Sequence, residues 1–375
     1  MYGINFKDKY RILHINNELG KHMIGGAGTY MNEIYVNRRD DTGFVYINMG
    51  YTYRDYDVKD FPDDKDILIM HKNESHKLAT LDYDVLVVQF YEFAYLLTDE
   101  VIRNKRIVYV VHSIPTPEPP PKRNPFGGND DIRHKFEKVC SCAEIIICVS
   151  NAEKDKLSRM YPEYKDKIKV VYNGITLDDI GELNNNYKRS RKNMGYIGRM
   201  DYRKGILECV KEIKNTEASL MLACPNNDAR YLNQILEYIR AADMEDRVTF
   251  YGWCVGERKE NFLKSLDALI IPSLYEPFGY VALEAMKQGL LVISSNNGGL
   301  DEILSGYKYK YSPYEEGALE KIINEFINDD ESVLTTQQSI LLDNLKRFTV
   351  KNMINDYNKI WDDLINDIDK ERGMN

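Results

Sequence analysis

The feature that most constrains the fold of this chain is the alternation of short apolar runs with longer stretches of helical spacing. In the first half, the apolar runs predict strands at 11–16, 44–49, 84–90, 106–112, 144–150 and 169–172. In the second half, they predict strands at 194–198, 219–224, 247–251, 268–272 and 291–295. Most runs are apolar on both faces, as strands inside a parallel sheet are. This alternation is typical of α/β folds, and we predict two doubly wound, Rossmann-like domains.

Chain length and local composition suggest where these domains begin and end. A chain of 375 residues exceeds the size at which a single core stops growing. The segment 177–193 is polar and lacks apolar periodicity, which is typical of a linker. Residues 351–370 place apolar side chains at helical spacing and predict an amphipathic helix. We therefore expect domains at 1–180 and 190–350.

Charge and cysteine content exclude several classes of function. The net charge of −9 argues against a general binder of nucleic acid or anionic membranes. The six cysteines form no C-x-x-C pair and the six histidines no cluster, so we expect reduced thiols and no metal site. Cys140 and Cys142 are expected at a helix end. No apolar run is as long as a membrane span, and the first residues do not resemble a signal peptide. We expect a soluble, cytoplasmic protein.

Two glutamates after the apolar run at 268–273 form the clearest candidate site. Glu276 is expected in the turn that follows a strand, and Glu284 lies eight positions later in the helix that this turn opens. Within one continuous helix, eight residues would separate them by roughly 12 Å along the axis. That distance exceeds the spacing of paired hydrolase carboxylates. The two side chains are therefore expected to contact different parts of one extended ligand.

This stretch resembles the E-x7-E signature of retaining glycosyltransferases of the GT-B type, specifically the group 1 or family 4 kind. The resemblance implies that Glu276 contacts hydroxyls of the donor sugar and that Glu284 holds the nucleotide ribose. It further implies that the backbone of Phe278, Gly279 and Tyr280 contacts phosphate or sugar oxygens. Carboxylates accept hydrogen bonds from vicinal hydroxyls, and a helix start attracts a diphosphate. First-turn glutamates are also common without any ligand, but the intervening Pro-Phe-Gly favours a site.

A basic turn opens the second predicted domain at 195–205. It resembles the family element G-R-x-x-x-x-K-G, which implies that Arg199 and Lys204 bind the donor diphosphate. Fixed cations stabilise the charge that a leaving diphosphate gains. Arginine can bind two oxygens at once, whereas lysine supplies a point charge. We expect Arg203, in contrast, to be a solvated turn charge.

The first domain offers weaker candidates. The glycine-rich segment 25–30 lacks the G-x-G-x-x-G spacing, because Met31 replaces the third glycine, and no G-K-[ST] follows. A dinucleotide oxidoreductase and a P-loop enzyme are thus disfavoured. The resemblance implies that Gly26 and Ala27 let backbone amides approach the donor. His112 ends a predicted strand at the edge where open sheets bind ligands. The resemblance implies that it contacts the transferred sugar, although lone histidines are often structural.

Further similarities follow the family in order along nearly the whole chain. The segment 298–302 resembles the family's G-G-x-x-E turn beside the donor pocket. The resemblance also implies that the two domains face each other across a cleft, with the terminal helix, 351–375, packed on the first domain. Lys122 and Arg123 lie in a proline-rich loop and could meet an acidic acceptor, but solvated loop charges are the simpler interpretation.

The resemblance implies a retaining glycosyltransferase that moves a hexose or N-acetylhexosamine from a UDP-sugar to a carbohydrate, protein or lipid-linked acceptor. It implies front-side attack, no metal and no cofactor other than the nucleotide-sugar substrate. Glu276, His112, Arg199 and Lys204 would be the catalytic residues. The segment 82–84 is interpreted as the polar entry to a strand, not as a D-x-D metal element. A nucleotide-sugar epimerase and a non-catalytic partner subunit remain alternatives, and peripheral membrane association and oligomeric state stay open.

Overall fold

The structure, a computed structural model, describes residues 6, 9–19, 25–48, 64–115, 129–177, 184–188, 190–225 and 228–373. The chain divides into two compact units. The first unit contains Met1–Gly174 together with Val350–Asn375, and the second contains Ile175–Thr349. Each unit is built on its own parallel sheet, so the predicted class of two doubly wound α/β domains is confirmed.

The sheet of the first unit has seven parallel strands. They are β1 (Ile12–Asn16), β2 (Thr42–Asn48), β3 (Ile67–His71), β4 (Val85–Val88), β5 (Arg106–Val111), β6 (Ile145–Cys148) and β7 (Ile168–Val170). Their spatial order is β3-β2-β1-β4-β5-β6-β7. Strands β2 and β3 are added on one side of β1, and β4 to β7 are added on the other side. This switch point between β1 and β4 is where an open α/β sheet leaves a crevice for a ligand.

Helices connect these strands. They are α1 (Gly26–Val36), α2 (Asp99–Asn104), α3 (Asn129–Cys142) and α4 (Asn151–Met160), with 3-10 turns at Lys72–Thr80, Tyr91–Leu96 and Pro162–Lys167. The hydroxyls of Thr98 and Ser150 cap α2 and α4 by accepting backbone N–H bonds. Helix α3 ends at Cys142, as predicted.

The sheet of the second unit has six parallel strands. They are β8 (Asn193–Ile197), β9 (Ser219–Ala223), β10 (Val248–Phe250), β11 (Ala268–Ile271), β12 (Leu291–Ser295) and β13 (Lys310–Tyr311). Their order is β10-β9-β8-β11-β12-β13, so the switch point falls between β8 and β11. The helices are α5 (Ile206–Ile213), α6 (Ala229–Ala241), α7 (Gly256–Ser265), α8 (Tyr280–Lys287), α9 (Gly299–Ile303), α10 (Ala318–Asn328) and α11 (Glu331–Leu345). The segment Asn186–Lys188 forms one 3-10 turn.

The last helix, α12 (Val350–Glu371), belongs to the first unit. Its apolar side buries Tyr357 and Trp361, and the hydroxyl of Tyr30 on α1 donates to that of Tyr357 at 2.9 Å. Arg11 Nη2 also lies 2.7 Å from Asp369 Oδ1 on this helix. Apolar burial and ion pairing together attach the chain end to the first sheet.

The structure differs from the sequence predictions at two strands and at the linker. Strands β3 and β13 were not predicted, because β3 is a short apolar run beside charged residues and β13 has only two residues. Asn184, within the predicted linker, is buried and its Nδ2 donates to Leu266 O at 3.0 Å. Its own carbonyl accepts from Gln338 Nε2 at 2.7 Å. This segment is therefore ordered within the second unit, because the side chains of Asn184 and Asn186 donate to backbone carbonyls there.

Candidate functional site

Lys204 and Glu276 form an ion pair at the switch point of the second sheet, where β8 lies beside β11. Lys204, in the turn after β8, donates from Nζ to Oε2 of Glu276, in the turn after β11, at 2.5 Å. The Ser273 hydroxyl donates to the same oxygen at 3.3 Å. The two charged side chains are 21% and 17% exposed. The fold thus joins the predicted diphosphate lysine to the predicted sugar-binding carboxylate, which are 72 residues apart in sequence.

The basic turn is bonded directly to the strand end that carries Glu276. Leu274 N donates to Arg203 O at 2.8 Å. Gly205 follows the lysine with φ of +65°, and a Cβ there would lie 2.1 Å from the carbonyl oxygen of Pro272. Only glycine permits both this conformation and this approach. The K-G pair therefore places Lys204 against the β11 turn through close backbone contact.

The two arginines of this turn have different environments. Arg203 forms a bidentate ion pair with Asp201, with Nη2–Oδ2 at 2.6 Å and Nε–Oδ1 at 3.1 Å. Burial alone would raise the pKa of Asp201, but the hydrogen bonds and charge of Arg203 lower it to about 2. Arg203 is a turn charge with 39% of its side chain exposed, as predicted, but it also pairs with a neighbouring carboxylate. The exposed Arg199 guanidinium makes no ion pair or hydrogen bond with any other described residue.

The glycine pair at 298–299 packs against the turn of Glu276. Gly299 N donates to Glu276 O at 2.8 Å, and Gly298 forms an isolated parallel bridge with Glu276. Gly298 has φ of +74°, and a Cβ there would lie 2.1 Å from Glu276 O. The segment that resembles the G-G-x-x-E turn thus fixes the backbone of the first motif glutamate.

The second motif glutamate lies within α8, which begins after Gly279 as predicted. Lys259 on α7 donates from Nζ to Glu284 Oε1 at 2.5 Å. Phe278 and Tyr280 are buried and their rings contact each other, with centroids 5.5 Å apart. These two residues can therefore offer a ligand mainly their backbone groups.

Each motif carboxylate keeps one oxygen uncommitted. Lys204 and Ser273 both bond Oε2 of Glu276, and Lys259 bonds Oε1 of Glu284. Within the described part of the chain, the second oxygen of each carboxylate has no hydrogen bond. A carboxylate oxygen accepts readily from hydroxyl groups. Both side chains are held by a lysine while one acceptor remains for a ligand.

His112 follows β5 in the first unit and belongs to a buried polar chain. Its Nε2 donates to Gln89 Oε1 at 2.9 Å, and Gln89 Nε2 donates to His14 Nδ1 at 3.0 Å. Burial lowers the pKa of His112 to about 4 and that of His14 to about 3. Both imidazoles are therefore neutral at pH 7. Sequence reasoning missed Gln89 and His14, although each interrupts an apolar strand run with a polar residue.

The remaining first-unit candidates are the glycine-rich segment and the two basic loop residues. Gly26 and Ala27 form the first turn of α1, whose N-cap is Gly25. The helix therefore begins inside the segment 25–30, which was expected to be a loop. Asn16 at the end of β1 is fully buried, and no described residue bonds its carboxamide. Lys122 and Arg123 lie outside the described residues.

Two kinds of site are absent from the described residues. No group of three or more His, Cys, Asp or Glu side chains in this part of the chain is arranged to hold a metal ion. Of the helices that the structure describes, none combines the length and apolarity needed to cross a bilayer.

The sequence matches two family models in succession. Residues 47–179 match the model described as glycosyltransferase family 4, and residues 183–339 match glycosyl transferases group 1. An uncharacterized glycosyltransferase of Methanocaldococcus jannaschii is 33% identical over 174 residues, which cover 42% of this chain and 44% of that protein. Mannosylfructose-phosphate synthase of Agrobacterium fabrum is 24% identical over 198 residues, or 48% of this chain and 43% of the synthase. The chain thus spans less than half the length of these curated relatives.

Solved structures extend the likeness of fold to almost the whole chain. Sucrose-phosphate synthase from Thermosynechococcus elongatus aligns with a TM-score of 0.74 at 16% identity, covering 95% of this chain and 99% of the synthase. Anabaena HepE in complex with UDP and glucose aligns with a TM-score of 0.75 at 18% identity, covering 94% and 100%. At such identities the likeness concerns the fold alone.

Proposed function

This chain belongs to the glycosyltransferases of group 1 and family 4, and we propose that it is a retaining glycosyltransferase. It moves a hexose or N-acetylhexosamine from a nucleotide diphosphate, UDP in our proposal, to a carbohydrate, protein or lipid-linked acceptor. In this proposal the reaction takes place in the cytoplasm and needs no metal ion. The use of UDP is supported by the fold-level likeness to HepE, which was solved with UDP and glucose.

The observation that carries this proposal is the contact between Lys204 and Glu276, together with the exposed Arg199 in the same turn after β8 as Lys204. A diphosphate needs cations, and a sugar needs hydroxyl acceptors. The turn after β8 supplies the cations, and the turn after β11 supplies the hydroxyl acceptor. The ion pair between Lys204 and Glu276 joins these two turns. A nucleotide sugar is the ligand class that joins both chemistries in one molecule.

The proposed reaction breaks the bond between the anomeric carbon and the diphosphate oxygen. The acceptor oxygen bonds to the same face of the sugar, and its proton passes to the departing phosphate oxygen. Arg199 and Lys204 stabilise the negative charge that develops on that diphosphate. Glu276 orients the sugar and Glu284 the ribose, while backbone groups of Phe278, Gly279 and Tyr280 bind phosphate or sugar oxygens.

The first unit supplies the remaining contacts in this proposal. Gly26 and Ala27 offer backbone amides to the donor, and neutral His112 contacts the transferred sugar. Because Gln89 already accepts from Nε2 of His112, the free Nδ1 of this tautomer would accept from a sugar hydroxyl. His112 thus acts in sugar binding and does not need to exchange a proton.

The test is turnover of a panel of UDP-, GDP- and ADP-sugars by the purified chain, with and without EDTA, followed by NMR of the anomeric product. We expect a UDP-sugar to be consumed with retention. Glu276→Ala and Arg199→Ala should each lower kcat/KM by about a hundredfold, while the exposed control Lys321→Ala should not. Full activity of both site variants would refute the assigned roles. Release of a free epimerised sugar would indicate an epimerase, and failure to bind any nucleotide sugar would indicate a partner subunit.

A further inference from the structure

Lys259 is a cation that the predicted donor site did not include. It lies on α7 and its ammonium reaches Glu284 on α8 at 2.5 Å, with 27% of its side chain and 17% of the glutamate exposed. Its neighbours Glu257, Arg258 and Glu260 on the same helix are exposed. One lysine of a charged helix is therefore turned inward, onto the glutamate proposed to hold the ribose.

Lys259 is the cation that forms the ion pair with Glu284. The adjacent Arg258 is directed elsewhere: its Nη2 donates to Tyr251 O at 2.8 Å and its guanidinium lies 5.0 Å from the Tyr251 ring centroid. Cys254 is buried beside the ion pair. Burial raises the pKa of its thiol, and the charges of Arg258, Lys259 and Glu284 act on the same group. Of these two neighbouring cations on α7, Lys259 is the one that pairs with Glu284.

The geometry divides the two oxygens of Glu284. Lys259 binds Oε1, and Oε2 has no hydrogen bond within the described residues. A carboxylate with one oxygen fixed by a charge-assisted bond presents the other in a defined direction. The arrangement repeats that of Glu276, whose Oε2 is held by Lys204.

We propose that Lys259 is a positioning residue that fixes the Glu284 carboxylate so that Oε2 accepts from the ribose hydroxyls of the bound nucleotide. This inference rests on the proposed function, because it requires a nucleotide ribose at Glu284. It adds that ribose recognition depends on a lysine from another helix, and that this dependence disappears when the hydroxyls are removed from the ligand.

The experiment compares a ribonucleotide with its 2′,3′-dideoxy counterpart by calorimetry. The nucleotide is whichever of UDP, GDP or ADP binds the wild-type chain most tightly. We expect the wild type to bind the ribonucleotide at least about tenfold more tightly than the dideoxy form, the value of one charge-assisted hydrogen bond. Lys259→Met should weaken ribonucleotide binding by about tenfold and dideoxy binding by less than about twofold. Lys259→Arg should restore most of the discrimination.

Two further variants separate the inference from the proposed function. Lys264→Met, at an exposed position on the same helix, should leave both affinities unchanged. Glu284→Ala should abolish discrimination between the two ligands. With the nucleotide sugar as substrate, Lys259→Met should raise KM and leave kcat within about twofold.

The outcomes that would overturn these conclusions differ. Loss of discrimination in Glu284→Ala but not in Lys259→Met would refute the role of Lys259 and leave the proposed function standing. Equal weakening of both ligands in Lys259→Met would also refute it, because a general charge effect does not depend on hydroxyls. Absence of nucleotide binding, or of discrimination, in the wild type would refute the ribose role of Glu284 and the inference together.

Discussion

The buried histidines of the first unit should make its stability sensitive to acid. His14 is 1% exposed, and its pKa is about 3 in the folded chain, whereas His112 is half-buried with a pKa of about 4. Histidine in an unfolded chain has a pKa of about 6.5. Below that pH the unfolded chain therefore binds more protons than the folded chain, and the stability present at neutral pH is lost as the pH falls from 6.5 toward 4.

The size of this effect follows from the pKa difference. At pH 5 an unfolded histidine is mostly protonated, while both imidazoles of the folded chain stay mostly neutral, and 1.5 pH units correspond to about 2 kcal/mol. We assign about 2 kcal/mol to His14 and about 1 kcal/mol to the partly solvated His112. The first unit should therefore lose about 3 kcal/mol of unfolding free energy between pH 7.5 and pH 5.0 from these two groups.

Gln89→Glu tests whether the neutral surroundings of the two histidines cause this acid sensitivity. The amide nitrogen of Gln89 donates a hydrogen bond to His14 Nδ1, so it cannot accept one from a protonated His14 in this orientation. A carboxylate at this position would accept from both imidazoles, which raises their pKa values. We expect this variant to lose at least about 1.5 kcal/mol less than the wild type over the same pH interval.

The chain offers a local reporter for the measurement. It has two tryptophans, Trp253 in the second unit and Trp361 in α12. Trp361 lies 6.2 Å from His14 between ring centroids. In a Trp253→Phe background, fluorescence during urea unfolding at pH 7.5 and 5.0 therefore follows the first unit. His134→Gln, at an exposed position of α3, is the control. Equal losses in the wild type and Gln89→Glu, or a smaller loss in His134→Gln, would contradict this reasoning.

Three further expectations concern the second unit and the chain end. Arg199→Ala should lower kcat/KM for the donor by about a hundredfold, and Arg203→Ala by less than about fivefold, because Arg203 pairs with Asp201 and not with a ligand; equal effects in steady-state kinetics would contradict this. Gly298→Ala should abolish most activity while circular dichroism stays unchanged, because its Cβ would displace the carbonyl of Glu276; normal activity would show that this contact is dispensable. Arg11→Ala should lower the unfolding free energy of the first unit by about 2 kcal/mol in urea, because it removes one of the two cations that pair with the buried Asp84; no change would show that this ion pair adds nothing to stability.

Local periodicity accounts for most of what the sequence revealed about the fold. Strand β12 was predicted with its observed bounds, and the terminal helix was predicted at 351–370 and found at Val350–Glu371. Both signals lie within one segment, so no distant residue was needed to interpret them. Strand β13 has two residues and depends on pairing with β12, which local sequence does not encode. Chain segments that are ordered by tertiary contacts, such as Asn184, were misread for the same reason.

In the candidate site, motifs identified individual residues but not the contacts between them. Motif resemblance singled out Arg199, Lys204 and Glu276, and their roles in binding a diphosphate sugar stay predictions. The pairing of Lys204 with Glu276 could not be predicted, because it depends on which strands are neighbours at the switch point of the sheet. A signal for Lys259 did exist: it precedes the buried Phe262 by three residues, so helical spacing places it on the inward face of α7.

The pairings change how donor binding must proceed. Before the donor binds, Lys204 neutralises Glu276 and Lys259 neutralises Glu284, so among these five side chains Arg199 is the cation without a described partner. A diphosphate can therefore attract Arg199 at once, but it must compete with Glu276 for Lys204. Transfer of Lys204 to the phosphate would free Oε2 of Glu276, so that both of its oxygens could accept from neighbouring sugar hydroxyls. On this argument, Glu276→Gln should strengthen binding of the free nucleoside diphosphate, which no longer competes for Lys204, while weakening turnover of the nucleotide sugar. Weaker binding of the diphosphate in this variant, measured by calorimetry, would show that the ion pair organises the lysine and does not restrain it.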